Sequence, residues 1–325
     1  GRCRPTDMEQ LFQLLNLYFT QPRFDPQSFD AYVKRQRSFY DNMGSNPASY
    51  FSVKWSKFVN MNHARSFDIP TESDWNSTDL AAIEKVYRDR FANPADFNFC
   101  FVGNIDEASL KNYCATYLGG LKTSDKREKA KDINIPYRSG TERLTVKKGA
   151  DPKSQVRIAF HKDIAYDPIL DLKLDMAAEV LTIKMIEVLR EDMSGVYGTS
   201  ARNYFSRSPK PGFSFYISFP CGPENVDTLI GAALHQLKLL AKDGPTQKDL
   251  DKVKQTMIKE VTTDVQSNSF WLNSVTNSLL YGDPIPTESD VKKRIEQITR
   301  EDVKAAVATY LQGDYLTGVL LPEND

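Results

Sequence analysis

Apolar residues fall at every second position in two runs of the chain. In Gln155–His161 they are Val156, Ile158 and Phe160, and in Phe213–Phe219 they are Phe213, Phe215, Ile217 and Phe219. Successive side chains of a strand point to opposite faces, so this period predicts strands with one buried face each. Arg143–Lys147, Val196–Phe205 and the apolar run Leu316–Leu321 read as further strands, with a helix over Pro168–Arg190 among them. Elsewhere the spacing is helical. It predicts helices over Asp7–Thr20, with Thr6 and Glu9 in capping-box spacing, Gln27–Met43 and Pro47–Asn60, and again over Pro223–Ala241, Gln247–Gln266 and Asn268–Leu280.

Each train of helices ends on the same hexapeptide. Ile-Pro-Thr-Glu-Ser-Asp occupies Ile69–Asp74 and recurs at Ile285–Asp290. After the first copy come Asp79-Leu80, Ile83 and Tyr87, then Phe97–Gly103, which reads as an amphipathic helix running into a buried strand; after the second, Asp302-Val303, Ala306 and Tyr310 keep the same internal spacing ahead of Leu316–Leu321. Repetition of a whole train of elements predicts a duplicated domain. The hexapeptide itself reads as structural, with Thr71 or Ser73, and Thr287 or Ser289, as natural helix caps. The strand-rich stretch before the second train has no counterpart before the first, which predicts that the first domain lacks its front. The expected organisation is a partial domain plus linker over residues 1–139, with the polar Lys122–Ser139 as the linker, and a complete domain over 140–325.

Length and composition agree with this division: 325 residues fit about two domains of roughly 100–200 residues each. The net charge of −1 supplies no field to attract phosphate backbones or anionic lipid, so nucleic acid is not an expected partner. Nor does any apolar run reach the roughly 18 residues that membrane insertion needs. Cys3, Cys100, Cys114 and Cys221 lack metal-like spacing and read as free thiols or core fillers; whether Cys100 and Cys114 meet is open from spacing alone. His63, His161 and His235 form no His-x-x-Glu-His or i, i+4 pair, so no self-contained zinc-peptidase motif is present and each reads as structural or surface.

The stretch with most chemical content is Leu189–Ala201, LREDMSGVYGTSA. A helix ending near Arg190 passes through Ser194-Gly195 into a strand starting at Val196-Tyr197, bringing a guanidinium and a phenol, both donors, to one corner. Two readings stand side by side here: a functional pair, or an Arg favoured by the helix dipole followed by a Tyr at an ordinary strand start. Arg202 and Arg207, further along, are either solvated strand residues or contacts for acidic or C-terminal parts of a peptide.

Leu189-Arg190-Glu191 followed by Gly195-Val196-Tyr197 resembles the motif of the non-catalytic half of the pitrilysin/insulin-degrading-enzyme (insulinase) family of zinc metallopeptidases. Tyr87–Leu121 resembles a second signature of that family, and the resemblance covers nearly the whole chain. It implies an α+β fold of two homologous domains, each an antiparallel sheet packed against helices, the first truncated at its N-terminus. It implies that zinc is held by an N-terminal catalytic half outside this segment, so that the segment has no metal ligands and is inactive alone. Arg190 and Tyr197 become the substrate- and oxyanion-binding residues, donating to the scissile carbonyl beside the metal. The implied partners are a peptide or unfolded polypeptide and that catalytic half, and the implied location is the periplasm or cell envelope. A non-enzymatic assembly subunit of the same fold, or a peptide-binding module, are the alternative functions.

Overall fold

The four apolar residues alternating along Phe213–Phe219 are almost completely buried, at 0 to 2 % exposure, which makes this strand the centre of the fold's main core. A computed structural model describes residues 1–325 apart from 126, 130, 193–195, 197, 324 and 325, and leaves the side chains of 190–192 undescribed. Five strands pair: β1 (Glu142–Lys147), β2 (Ser154–Lys162), β3 (Ser200–Ser206), β4 (Gly212–Cys221) and β5 (Leu316–Leu321), in the order β1-β5-β2-β4-β3. The chain is α+β, as expected. Its sheet, however, is mixed and not antiparallel: β2, β3, β4 and β5 pair antiparallel, while β1 runs parallel to β5. The last strand enters beside the first after a long helical excursion, and a crossover of that kind returns the chain in the same direction.

The chain divides into two compact units that interleave along the sequence: residues Gly1–Phe39, Pro70–Ala130 and Thr263–Pro286, and residues Tyr40–Ile69, Lys131–Thr262 and Thr287–Asp325. The boundary after Ile69 and the boundary after Pro286 both fall inside a copy of the hexapeptide.

The second unit holds the sheet. On one face Val156, Ile158, Phe160, Phe213, Phe215 and Ile217 pack against α7 (Pro168–Met185), α8 (Val226–Asp243) and α12 (Arg300–Tyr310) in one continuous core. The helix expected over Pro168–Arg190 is α7 continued by a π-helical turn at Ile186–Asp192. The expected strand over Val196–Phe205 is shorter than its pattern: the ladder begins at Ser200, and Val196 makes an isolated bridge to Cys221. On the other face α3 (Pro47–Val59) lays Phe51, Trp55 and Val59 against β1, β5 and the edge of β2. Gly318 permits that approach, since a Cβ there would come 2.5 Å from a Trp55 ring carbon. Because α3 covers only this side, the β2-β4-β3 half of the second face is left open.

The first unit is helical. It contains α1 (Met8–Thr20), the start of α2 (Pro26–Ser45), α4 (Glu72–Asn76), α5 (Leu80–Phe91), α6 (Glu107–Tyr113) and α10 (Asn268–Tyr281). Aromatic rings hold it together: Phe12 stacks on Phe101 at 5.0 Å, Tyr87 on Phe91 at 4.3 Å, and the Tyr87 hydroxyl donates to the Tyr18 carbonyl at 2.9 Å. Phe97–Gly103, expected to be a strand, makes no ladder, because no second strand exists among the described residues of this unit to share its hydrogen bonds. Nor does the Thr6–Glu9 box form. A 3-10 turn at Pro5–Asp7 precedes α1, and the Thr6 hydroxyl donates to Asp7 instead.

Candidate functional site

Register decides what the open face presents. Arg157 on β2 is level with Ser218 on β4 and Ser200 on β3; Ala159 is level with Tyr216 and Arg202; His161 is level with Ser214 and Tyr204. All of these alternate with core residues and therefore point away from α7, α8 and α12. All but Ala159 of them, together with Ser52 and Trp55 of α3, Asn60 just after it, and Tyr137, line a concavity of about 720 Å³. A shallower groove continues it past Gly198, Thr199 and Ser200.

The floor is polar and its cations are unequally paired. Arg157 is half-buried between its donation to Ser52 Oγ at 2.7 Å and the Phe51 ring, 5.0 Å from its guanidinium; burial pushes its pKa down. His161 stacks on Tyr137 at 3.8 Å. Its Nε2 lies 3.0 Å from Asp163 Oδ1 and its Nδ1 lies 3.0 Å from Ser214 Oγ. A carboxylate only accepts, so Nε2 carries the proton and Nδ1 accepts from the serine. Burial lowers the His161 pKa although Asp163 opposes the shift, so the neutral ring is favoured. Burial alone would raise the Asp163 carboxyl, yet Lys210 and His161 hold it below its ordinary value. The Tyr137 hydroxyl is buried near Tyr216 and Ser214 without a well-formed hydrogen bond, and burial strongly raises its pKa. At neutral pH the face therefore presents guanidinium donors and hydroxyls. Among the described residues on it none is a ready nucleophile.

Of the two residues expected to act on substrate, Arg190 falls in the π-helical turn Ile186–Asp192 with its side chain undescribed, and Tyr197 lies outside the described residues. The chain leaving Tyr197 reaches the groove at once, through Gly198 and Thr199. His63 accepts a backbone hydrogen bond from Arg65, and His235 is exposed on α8. All four cysteines are free thiols. Among the described residues no cluster of three or more His, Cys, Asp or Glu side chains could hold a metal, and no helix is long and apolar enough to cross a membrane. Sequence reasoning named Arg202 but missed Arg157, Tyr137 and Tyr216. The signal was present in β2, where Arg157 and His161 occupy the polar phase of the alternation, but which strands lie beside them is a matter of topology.

Residues 80–257 match the family described as the peptidase M16 inactive domain. The chain belongs to that family, which bears out the resemblance to zinc metallopeptidases. Among curated proteins it is 28 % identical over 334 residues to the probable zinc protease PqqL of Escherichia coli (strain K12), covering 99 % of this chain and 34 % of that one. The crystal structure of the periplasmic protease PqqL from Escherichia coli superposes with a TM-score of 0.83 at 25 % identity, over 98 % of this chain and 35 % of that one. The ferredoxin protease FusC, crystallised with Arabidopsis ferredoxin, reaches a TM-score of 0.79 at 17 % identity over 99 % of this chain and 35 % of that one, a likeness of fold alone. The chain spans about a third of the length of the curated relatives it matches, at 34, 30 and 27 %.

Proposed function

We propose that the chain is the C-terminal half of a zinc metalloendopeptidase, closing the proteolytic chamber and holding an extended peptide opposite a zinc site carried by the N-terminal half. In this reading residues 1–139 are a partial insulinase-type domain with its linker and 140–325 a complete one. The observation that carries it is the presence of Arg190 and Tyr197, in the spacing of the family's substrate-contacting pair, within a chain that belongs to the inactive-domain family. In this reading the metal's chemistry belongs to the other half; among the described residues no cluster of three or more His, Cys, Asp or Glu side chains could hold a metal. What this chain contributes is donors. As a peptide carbonyl becomes tetrahedral its oxygen gains negative charge, and a guanidinium and a phenol fixed beforehand stabilise that charge more than they stabilise the neutral ground state. A wall without chemistry has its own use, since enclosure excludes water and admits chains by size and extension. The likeness to a protease described as periplasmic supports a location in the periplasm or cell envelope.

The test is Arg190→Ala and Tyr197→Phe in the full-length protein. Loss of one oxyanion donor lowers kcat by about 10²–10³-fold, so each variant is expected to lose about that much peptide turnover while still binding substrate. Turnover equal to wild type in both variants would assign the pair to structure, whereas a full-length wild type without any peptide turnover would be a non-enzymatic relative or a peptide-binding module.

A further inference from the structure

Several cations of the second unit are matched to acids: Arg143 meets Asp227 at 2.6 Å, Arg138 meets Glu142 at 2.8 Å, and Lys210 meets Asp163. Two arginines on the open face are not. Arg157 has a serine and a phenyl ring for company, and Arg202 is exposed with neither a hydrogen bond nor an ion pair among the described residues. The outward positions of β2, β3 and β4 contain no Asp or Glu, and the nearby acid, Asp163, is taken by Lys210 and His161. Holding a guanidinium half-buried without a counter-charge is unfavourable unless something else supplies the charge.

Register sets the spacing. Arg157 and Arg202 stand two strands apart and two positions offset, so their Cα atoms are on the order of 12 Å from each other. Both long side chains can lean over the hydroxyls between them, among which Ser200 and Ser218 are 3.2 Å apart. That is a site for a carboxylate: two forks from the sides and hydroxyl donors from below. β3 is also an edge of the sheet, so an extended chain pairing with it would place alternate side chains over this floor.

We propose that the open face, through Arg157 and Arg202, binds the carboxylate of an acidic extended peptide and selects such peptides over neutral ones. The proposal deepens the reading of the chain as a peptide-holding wall but does not depend on Arg190 or Tyr197.

The experiment measures binding of fluorescein-labelled peptides to the full-length protein by anisotropy at low salt, with chelator present so that cleavage does not intervene. Three peptides are compared: one with Glu residues and an amidated C-terminus, its Gln counterpart also amidated, and the Gln counterpart with a free C-terminal carboxylate. A carboxylate held by two guanidinium groups is expected to improve binding by about tenfold or more over the neutral peptide. Preference in the first arm assigns the carboxylate to a side chain, and preference in the third to the chain terminus. Arg202→Gln and Arg157→Gln should each reduce the preference, read as the ratio of the acidic to the neutral peptide's affinity. Arg202 is exposed, so its variant folds and decides the matter even if the half-buried Arg157 is not replaceable. No preference in the wild type, or a preference that survives Arg202→Gln, overturns the proposal. Neither result bears on turnover, so the Arg190 and Tyr197 test stands separately.

Discussion

Asp175 is the acid whose charge is most strongly opposed by its surroundings. It lies on α7 facing β3, where Asn203 Nδ2 donates to Asp171 Oδ1 at 2.7 Å and to Asp175 Oδ1 at 3.2 Å. Burial raises its pKa to about 7, the charge of Asp171 adding to the shift and that of Glu179 adding less. The Asn203 Oδ1 atom is buried with no partner, and a protonated carboxyl beside it is a donor. The unfolded chain ionises this group near 3.8, so from that pH up to about 7 the folded state holds a proton that the unfolded state has lost. Stability therefore falls as pH rises through the window, by at most about 1.4 kcal/mol per pH unit and about 4 kcal/mol in all. Asp175→Asn is neutral throughout and should flatten that decline in urea unfolding measured between about pH 4 and pH 8. Parallel pH profiles for wild type and variant would show that Asp175 is charged in the folded state.

At the scale of elements, the repeated hexapeptide acts as a helix start. Thr71 accepts from Asp74 N at 3.3 Å while Asp74 Oδ2 accepts from Thr71 N at 2.7 Å, and Thr287 and Asp290 do the same at 3.1 and 3.3 Å. Both are complete capping boxes, opening α4 and α11 (Glu288–Gln297), and Thr299 with Asp302 makes a third ahead of α12. Lys173 and Thr299 hold the Asp302 carboxyl at about 2. Loss of an N-cap costs about 1 kcal/mol, so Thr287→Ala should lower the unfolding midpoint and Thr287→Ser should not; equal loss in both would point to the methyl group as the source. The helices were legible because caps, prolines and apolar spacing are local: Pro47 and the Asn46 cap start α3 where the pattern placed it, and β5 matches its apolar run residue for residue. What was not legible is pairing. Nothing within Leu316–Leu321 tells that it lies parallel to β1, and nothing in the apolar Phe97–Gly103 tells that no strand stands beside it. The open face was hidden for the same reason, since Arg157 and Arg202 become neighbours only through β4 between them.

At the scale of the whole molecule, the proposed division of labour makes recognition and chemistry separable. The described residues offer no metal cluster, whereas the curated relatives are named zinc proteases. If the chain is a wall that holds peptide while another half carries the metal, removing the metal should abolish cleavage and spare the binding that Arg157 and Arg202 provide. Chelation of the full-length protein is therefore expected to reduce peptide turnover to background, with affinity for an acidic peptide changed by less than about threefold, because the guanidinium–carboxylate contacts do not include the metal. Added zinc should restore turnover. The chain expressed alone, provided circular dichroism shows it folded, should bind peptide without cleaving it and take up no zinc at micromolar concentration. Two results decide against the division. Loss of peptide binding on chelation would mean that the metal holds the substrate and the open face does not. Turnover insensitive to chelator would place the protein outside metal-dependent hydrolysis, leaving the fold and the arginine face in place but reducing the chain to a carrier of acidic peptides.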